Sequence, residues 1–222
     1  MTPVIILRPE PGAGETAARA ERLGLAVCLC PLFEARAVSW DAPAAAQFDA
    51  LLLTSAQAAR LAGPQLATYH GLPAYAVGDA TARALAAQGF EQVVSGDQDG
   101  NAIAARIAAD GHRRVLHLGG RTVAPIAKGP LSIQRMVIYE MVGRANADLS
   151  KWLQPGAVLM IHSPRAGQKV ADLVPLNQRD QIHIVAISPA ALSACGDGWA
   201  SALAPDRPDD DRMLALAARL CE

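Results

Sequence analysis

The chain has 222 residues, of which 51% are hydrophobic and 18% charged, with a formal net charge of −1. That composition excludes a disordered chain and the basic field of a nucleic-acid binder. No run approaches the roughly 18 uncharged apolar residues needed to span a bilayer, so no membrane association is expected.

Short apolar runs alternate with Ala-rich stretches along the whole sequence. Strands are expected over Pro3–Leu7, Ala26–Cys30, Ala50–Leu53, Ala74–Val77 and Gln92–Ser95, and then over Arg114–Leu118, Gln134–Tyr139, Ala157–Ile161, His183–Ile187 and Ala200–Ala204. Most are apolar on both faces, as strands covered by helices on both sides must be. Helices are expected over Gly14–Leu23, Ser55–Ala62, Ala80–Gln88, Asn101–Asp110, Arg165–Leu173, Pro189–Ala194 and Asp210–Leu220. Gly24, Gly89 and Gly111 stand where three of these helices stop. The first run opens on Pro3 and meets a charge at Arg8, so it reads as a strand and not as a signal peptide. With four cysteines (Cys28, Cys30, Cys195, Cys221) at no disulfide or metal spacing, a cytoplasmic protein is expected.

An internal repeat is legible. Leu53-Thr54-Ser55-Ala56 matches Ile161-His162-Ser163-Pro164 at an offset of 108, and Val77-Gly78-Asp79-Ala80 matches Ile187-Ser188-Pro189-Ala190 at 110. Gly89-Phe90 matches Gly198-Trp199 at 109, and Val4 to Leu7 match Val115 to Leu118 at 111. Duplication with small loop changes accounts for the drift; chance similarity between Ala-rich α/β segments is the alternative. The expected fold is α/β: two similar three-layer α/β/α lobes, flavodoxin-like, each with a five-stranded parallel sheet. Polar or broken patterns over Leu32–Gln47 and Gly143–Pro155 mark two connecting segments. The outer domain would then be residues 1–35 with 146–222, the inserted domain residues 37–140, with a cleft between them.

Four strands run into a small polar turn that opens a helix, at Ser55, at Gly78 with Thr81, at Ser163 and at Ser188. Such turns leave backbone N–H groups free at the sheet edge where α/β proteins take ligands. Each turn taken singly is equally accounted for as a helix cap. Together they suit an elongated polyanion. No GxGxxG, GxxxxGK[ST] or GxSxG occurs, and the histidines (His70, His112, His117, His162, His183) have no metal-ligand spacing. No nucleotide and no metal are therefore expected. Asp209-Asp210-Asp211 reads as the start of the last helix, or else as a metal cluster, and Tyr139 as a half-exposed residue at a strand end.

Several segments, in order over nearly the whole chain, resemble the uroporphyrinogen-III synthase family. They are Leu7-Arg8-Pro9-Glu10, Pro31-Leu32-Phe33-Glu34, Phe48 to Ala56, Ala76 to Ala82, Val137-Ile138-Tyr139-Glu140, Ser163-Pro164-Arg165 and Ala186-Ile187-Ser188. The resemblance implies two α/β lobes, no metal and no cofactor. It implies a cyclising hydro-lyase that converts hydroxymethylbilane, a linear tetrapyrrole octacarboxylate, to uroporphyrinogen III with inversion of ring D and loss of water. It makes Tyr139 the catalytic residue that assists departure of the hydroxyl, and Arg8, Ser55, Gly78, Thr81, Ser163 and Ser188 substrate-binding. The chain departs from the family at Pro189-Ala190-Ala191, where many members carry Thr, and in a short segment over Gly120–Leu131. A monomer is expected. A cytosolic two-lobed module that binds an anionic small molecule is the alternative reading.

Overall fold

The computed structural model describes residues 2–96 and 99–221. By its internal contacts the chain forms two compact units, a terminal unit of Met1–Glu34 with Gly143–Glu222 and a central unit of Ala35–Val142.

The terminal unit is built on β1 (Pro3–Ile6), β2 (Ala26–Leu29), β9 (Val158–Ile161), β10 (His183–Ala186) and β11 (Ser201–Leu203). These pair in the order β11-β10-β9-β1-β2, every pair parallel. Val4, Ile6, Val158, Met160 and Val185 face helices α1 (Gly12–Arg22) and α8 (Asp210–Cys221). Their neighbours Ile5, Leu159, Ile161 and Ile184 are equally buried on the other face. There α5 (Pro164–Leu173) and α7 (Pro189–Ser193) lie against β9 and β10 and against each other. A short α6 (Leu176–Arg179) precedes β10. Helix α1 ends as its sequence dictates: Gly24 takes φ +75°, and the Leu25 N–H donates back to the Ala20 carbonyl.

The central unit contains β3 (Phe33–Ala37), which begins in the terminal unit, β4 (Ala50–Leu53), β5 (Ala74–Val77), β6 (Val93–Gly96), β7 (Arg114–Gly120) and β8 (Ser132–Gly143). The order is β3-β8-β7-β4-β5-β6. All pairs from β8 to β6 are parallel. The exception is β3. The Val38 N–H donates to the Ile138 carbonyl and the Arg144 N–H to the Leu32 carbonyl, so one segment rises as the other falls and the pair is antiparallel. Leu51, Leu53, Leu116 and Leu118 pack on α2 (Ala56–Leu61) and α3 (Asp79–Ala86), while Ala50, Leu52, Tyr75 and Val115 pack on α4 (Gly100–Ala109).

Two α/β units with parallel-dominated sheets are therefore present, as expected. The central sheet, however, has six strands and not five. Phe33-Glu34-Ala35-Arg36-Ala37 alternates apolar and polar residues and lies at the sheet's edge, so it lacks the continuous apolar run that marks the buried strands.

The repeat also explains the topology. Its offsets place β1 on β7, β9 on β4 and β10 on β5, and the same offsets carry β2 onto β8 and β11 to the position of β6. Replacing each strand by its counterpart turns β11-β10-β9-β1-β2 into β6-β5-β4-β7-β8, the parallel part of the central sheet. The two parallel sheets thus share one strand order although their strands enter the sequence at different points.

Helices α5 and α7 meet at Gly167, where an added Cβ would stand 2.6 Å from the Ala191 carbonyl oxygen and 3.0 Å from Cys195 Sγ. Gly167→Ala must push a backbone away, and we expect it to cost about 1–3 kcal/mol. Urea denaturation of the variant, with fluorescence detection, measures the loss.

Candidate functional site

In a parallel sheet the crossovers on either side of one strand diverge to opposite faces, and a crevice opens beyond the strand ends at that switch point. In the central unit the switch lies between β4 and β7, because the chain leaves β4 towards β5 and enters β8 from β7. A cavity of about 400 Å³ occupies this position. Its walls are Thr54 and Ser55 after β4, Val77 at the end of β5, Asp99 to Asn101 at the start of α4, Thr122 to Ile126 after β7, and Tyr139.

The 122–126 wall is held in place at several points. Arg121 Nε donates to Glu140 Oε2 at 2.7 Å, and the Arg121 N–H donates to the Tyr139 carbonyl at 2.8 Å. Arg135 donates to the carbonyls of Gly120 and Arg121. Asn101 Oδ1 accepts from the Ala127 N–H at 2.7 Å. Ile126 lies where a side chain at Gly100 would have to go: an added Cβ there falls 2.9 Å from Ile126 Cγ1.

Tyr139 reaches the cavity through a break in register. β7 and β8 pair residue for residue up to Gly119 with Val137, and then Gly120 faces Tyr139, so Ile138 is the extra residue of a bulge. The ring then lies across Gly120, where an added Cβ would stand 2.8 Å from Tyr139 Cζ and 3.0 Å from its hydroxyl. Only glycine leaves that room. Tyr139 is 8% exposed, and among the described residues its hydroxyl has no hydrogen-bond partner. The ring is more buried than its sequence position at a strand end suggests.

Of the other residues singled out above, Ser55 lines the cavity, and its Oγ accepts from the Gln57 N–H as the N-cap of α2. Gly78 follows Val77 with φ +76°, and Thr81 is buried in the first turn of α3; neither lines the cavity. Ser163 and Ser188 belong to the terminal unit, where they cap α5 and α7 by accepting from the N–H groups of Ala166 and Ala191. As acceptors in these caps, the three serines keep their O–H protons to donate.

One buried group in contact with a cavity residue was not foreseen. His117, in the middle of β7, is 2% exposed, with its Nε2 3.3 Å from Thr54 Oγ1. Burial, reinforced by the Arg135 charge, pulls its pKa down to about 4, so the imidazole is neutral at physiological pH. The one sequence signal was a histidine at a core position of an otherwise apolar strand.

The matching corner of the terminal unit holds a network of polar and charged side chains. There the switch lies between β9 and β1. The repeat sets His162 opposite Thr54, and the helix starts, where Asp99 caps α4 and Asp209 accepts from the Arg212 N–H, set Asp209 opposite Asp99 and Asp210 opposite Gly100. Where Gly100 has no side chain, the Asp210 carboxylate accepts from His162 Nε2 at 2.7 Å, from Thr16 Oγ1 at 2.7 Å and from Arg19, with Arg8 Nη1 at 3.5 Å. Arg8 also donates to Thr16 and crosses Gly12, where a Cβ would fall 2.6 Å from its Nε. Burial raises the Asp210 pKa, but hydrogen bonds from His162 and Thr16 and the charges of His162 and Arg8 outweigh it and hold the value at about 2. Among the described residues no three His, Cys, Asp or Glu side chains are grouped to hold a metal, and no helix is long and apolar enough to cross a membrane.

The family model for uroporphyrinogen-III synthase HemD matches residues 14–215. The chain belongs to the uroporphyrinogen-III synthase family. Its fold is similar to that of uroporphyrinogen-III synthetase from Helicobacter pylori, with a TM-score of 0.69 at 18% identity over 99% of this chain and 100% of that one. It is also similar to a mutant uroporphyrinogen III synthase from Thermus thermophilus, with a TM-score of 0.56 at 15% identity over 100% of this chain and 99% of that one. Among curated protein sequences none matches. The resemblance carried by the ordered motifs is thus borne out, and membership makes the chain one of a family of biosynthetic enzymes that act on a small molecule.

A carboxylate with a depressed pKa stabilises the fold above its unfolded pKa, and that contribution is lost as pH falls through the folded value. Asp210→Asn is therefore expected to lower stability by about 2 kcal/mol at neutral pH. The gap between variant and parent should narrow below about pH 4 and close near pH 2. Chemical denaturation across that pH range measures it.

Proposed function

We propose that the chain is a uroporphyrinogen-III synthase: a cyclising hydro-lyase that closes hydroxymethylbilane to uroporphyrinogen III, with ring D inverted and one water lost. The observation that carries this reading is the family match over residues 14–215. It favours an enzyme over a binding module. We further propose that it works as a cytoplasmic monomer with neither metal nor organic cofactor.

The chemistry asks little covalent work of the protein. Loss of the hydroxyl from the ring A hydroxymethyl group leaves a cationic azafulvene, which ring D attacks at its substituted carbon. The spiro intermediate then fragments and closes again. The substrate loses water unaided and closes without inversion, so the enzyme must hold the less accessible geometry and ease departure of the hydroxyl. Tyr139 suits the second task. Its phenol faces the cavity without a competing partner among the described residues, and a phenol is a proton donor at neutral pH. In the central unit Ser55, Gly78 and Thr81 are proposed to bind substrate, Ser55 through the O–H its cap leaves free. In the terminal unit Arg8, Ser163 and Ser188 are proposed for the same role, with Arg8 supplying a cation for carboxylates.

Tyr139→Phe keeps the ring over Gly120 and removes only the donor. Turnover of hydroxymethylbilane should fall about 100-fold, and the uninverted I isomer should rise as slow turnover loses to spontaneous closure. Chromatographic separation of the I and III isomers, oxidised to their porphyrins, gives both numbers. A folded variant with the parental rate and pure III isomer would remove Tyr139 from the mechanism.

A further inference from the structure

His117 stands where packing alone would place an aliphatic side chain. Its strand neighbours across the sheet are Leu52 on β4 and Arg135 on β8, and the residue matching it in the repeat is Ile6, fully buried against the helices of the terminal unit. A buried imidazole costs stability unless it is hydrogen-bonded. Its one hydrogen-bond partner among the described residues is the hydroxyl of Thr54, which lines the cavity. Space is kept for this pair: an added Cβ at Gly119 would stand 3.3 Å from both His117 Nε2 and Val123 Cγ1.

The direction of the bond follows from satisfying donors. A neutral imidazole carries one N–H and one bare nitrogen. Among the described residues Nδ1 has no hydrogen-bond partner, so a proton there has no protein acceptor, whereas a proton on Nε2 is taken by Thr54 Oγ1. Thr54 then accepts from His117, and its own O–H is left to donate into the cavity. Asp99, the carboxylate in the same wall, is occupied as the cap of α4, accepting from the N–H groups of Asn101 and Ala102.

We propose that His117 is a positioning residue that fixes the Thr54 hydroxyl as a hydrogen-bond donor into the central-unit cavity, where it holds a carboxylate of the substrate. This rests on the synthase reading for its substrate and not for the His117–Thr54 bond itself.

Two measurements separate these layers. In the ¹⁵N spectrum of the histidine side chains of the full chain at neutral pH, His117 should carry its proton on Nε2, and Thr54→Val should change its ring shifts. A proton on Nδ1, or ring shifts unmoved by Thr54→Val, overturns the proposal whatever the chain catalyses. In steady-state conversion of hydroxymethylbilane, Thr54→Val and His117→Leu should each raise KM about tenfold with kcat little changed. The double variant should show the same tenfold rise and not a hundredfold one, because both changes delete one donor. His117→Gln, whose amide nitrogen lies near the place of Nε2, should restore KM, and His117→Asn should not. Independent, multiplying effects would make His117 a packing residue only and overturn the proposal. So would a parental KM in Thr54→Val, which holds even if His117→Leu fails to fold. A loss in kcat at constant KM would put Thr54 at the departing hydroxyl and overturn the carboxylate assignment. Wild-type protein that makes no uroporphyrinogen III above the uncatalysed background would refute the synthase reading and the carboxylate assignment, and leave the spectrum to decide the bond.

Discussion

Burial of the inner parallel strands β1, β4, β5, β7, β9 and β10 on both faces is the constraint from which the rest follows. A parallel neighbour is reached only by crossing back over one face of the sheet, and the crossing helix must cover apolar residues there. Ala-rich helices do this at low side-chain entropy cost and allow close approach, as Gly167 shows against Ala191. With the strands parallel, every strand-to-helix turn falls on one edge of its sheet. Thr54, Ser55 and Gly78 are neighbours for that reason in the central unit, as Arg8, His162, Ser163 and Ser188 are in the terminal one.

The two sheets share their parallel strand order, yet their switch points differ in use. In the terminal unit an aspartate at position 210 draws His162, Thr16, Arg19 and Arg8 onto one carboxylate. In the central unit Gly100 stands at the matching position, and the space remains a cavity closed on one side by Ile126. The side chain at this helix start, Asp210 in one unit and none at Gly100 in the other, is one of the differences between the two corners. Arg8 joins this network with its side chain 31% exposed.

The cavity combines an apolar wall of Val123, Pro125 and Ile126 with a few directed polar groups, Thr54, Ser55, Asn101 and Tyr139. That mixture suits a ligand made of aromatic rings that carry charged side chains. Tyr139 owes its place to two local departures from regular sheet, the bulge at Ile138 and the glycine beneath its ring. Departures from regular pairing gather at such sites because they aim a side chain that regular register would point elsewhere.

All ten expected strands are present, most of them because a strand apolar on both faces is written in consecutive residues and needs no knowledge of its partners. The edge strand β3 escaped because pairing on one side leaves no such run, and α6 because four residues give no period to read. The repeat was legible too, but not its consequence: which copy of a strand joins which sheet is a choice between equivalent partners, decided by chain connection and packing. The site divides in the same way. The caps at Ser55, Ser163 and Ser188 are local and stand in the sequence as Ser before a helix. The pair His117 and Thr54 lies 63 residues apart and the pair Arg8 and Asp210 lies 202 apart. A hydrogen bond acts over about 3 Å, so a one-dimensional pattern carries no trace of it until the sheet has brought its two ends together.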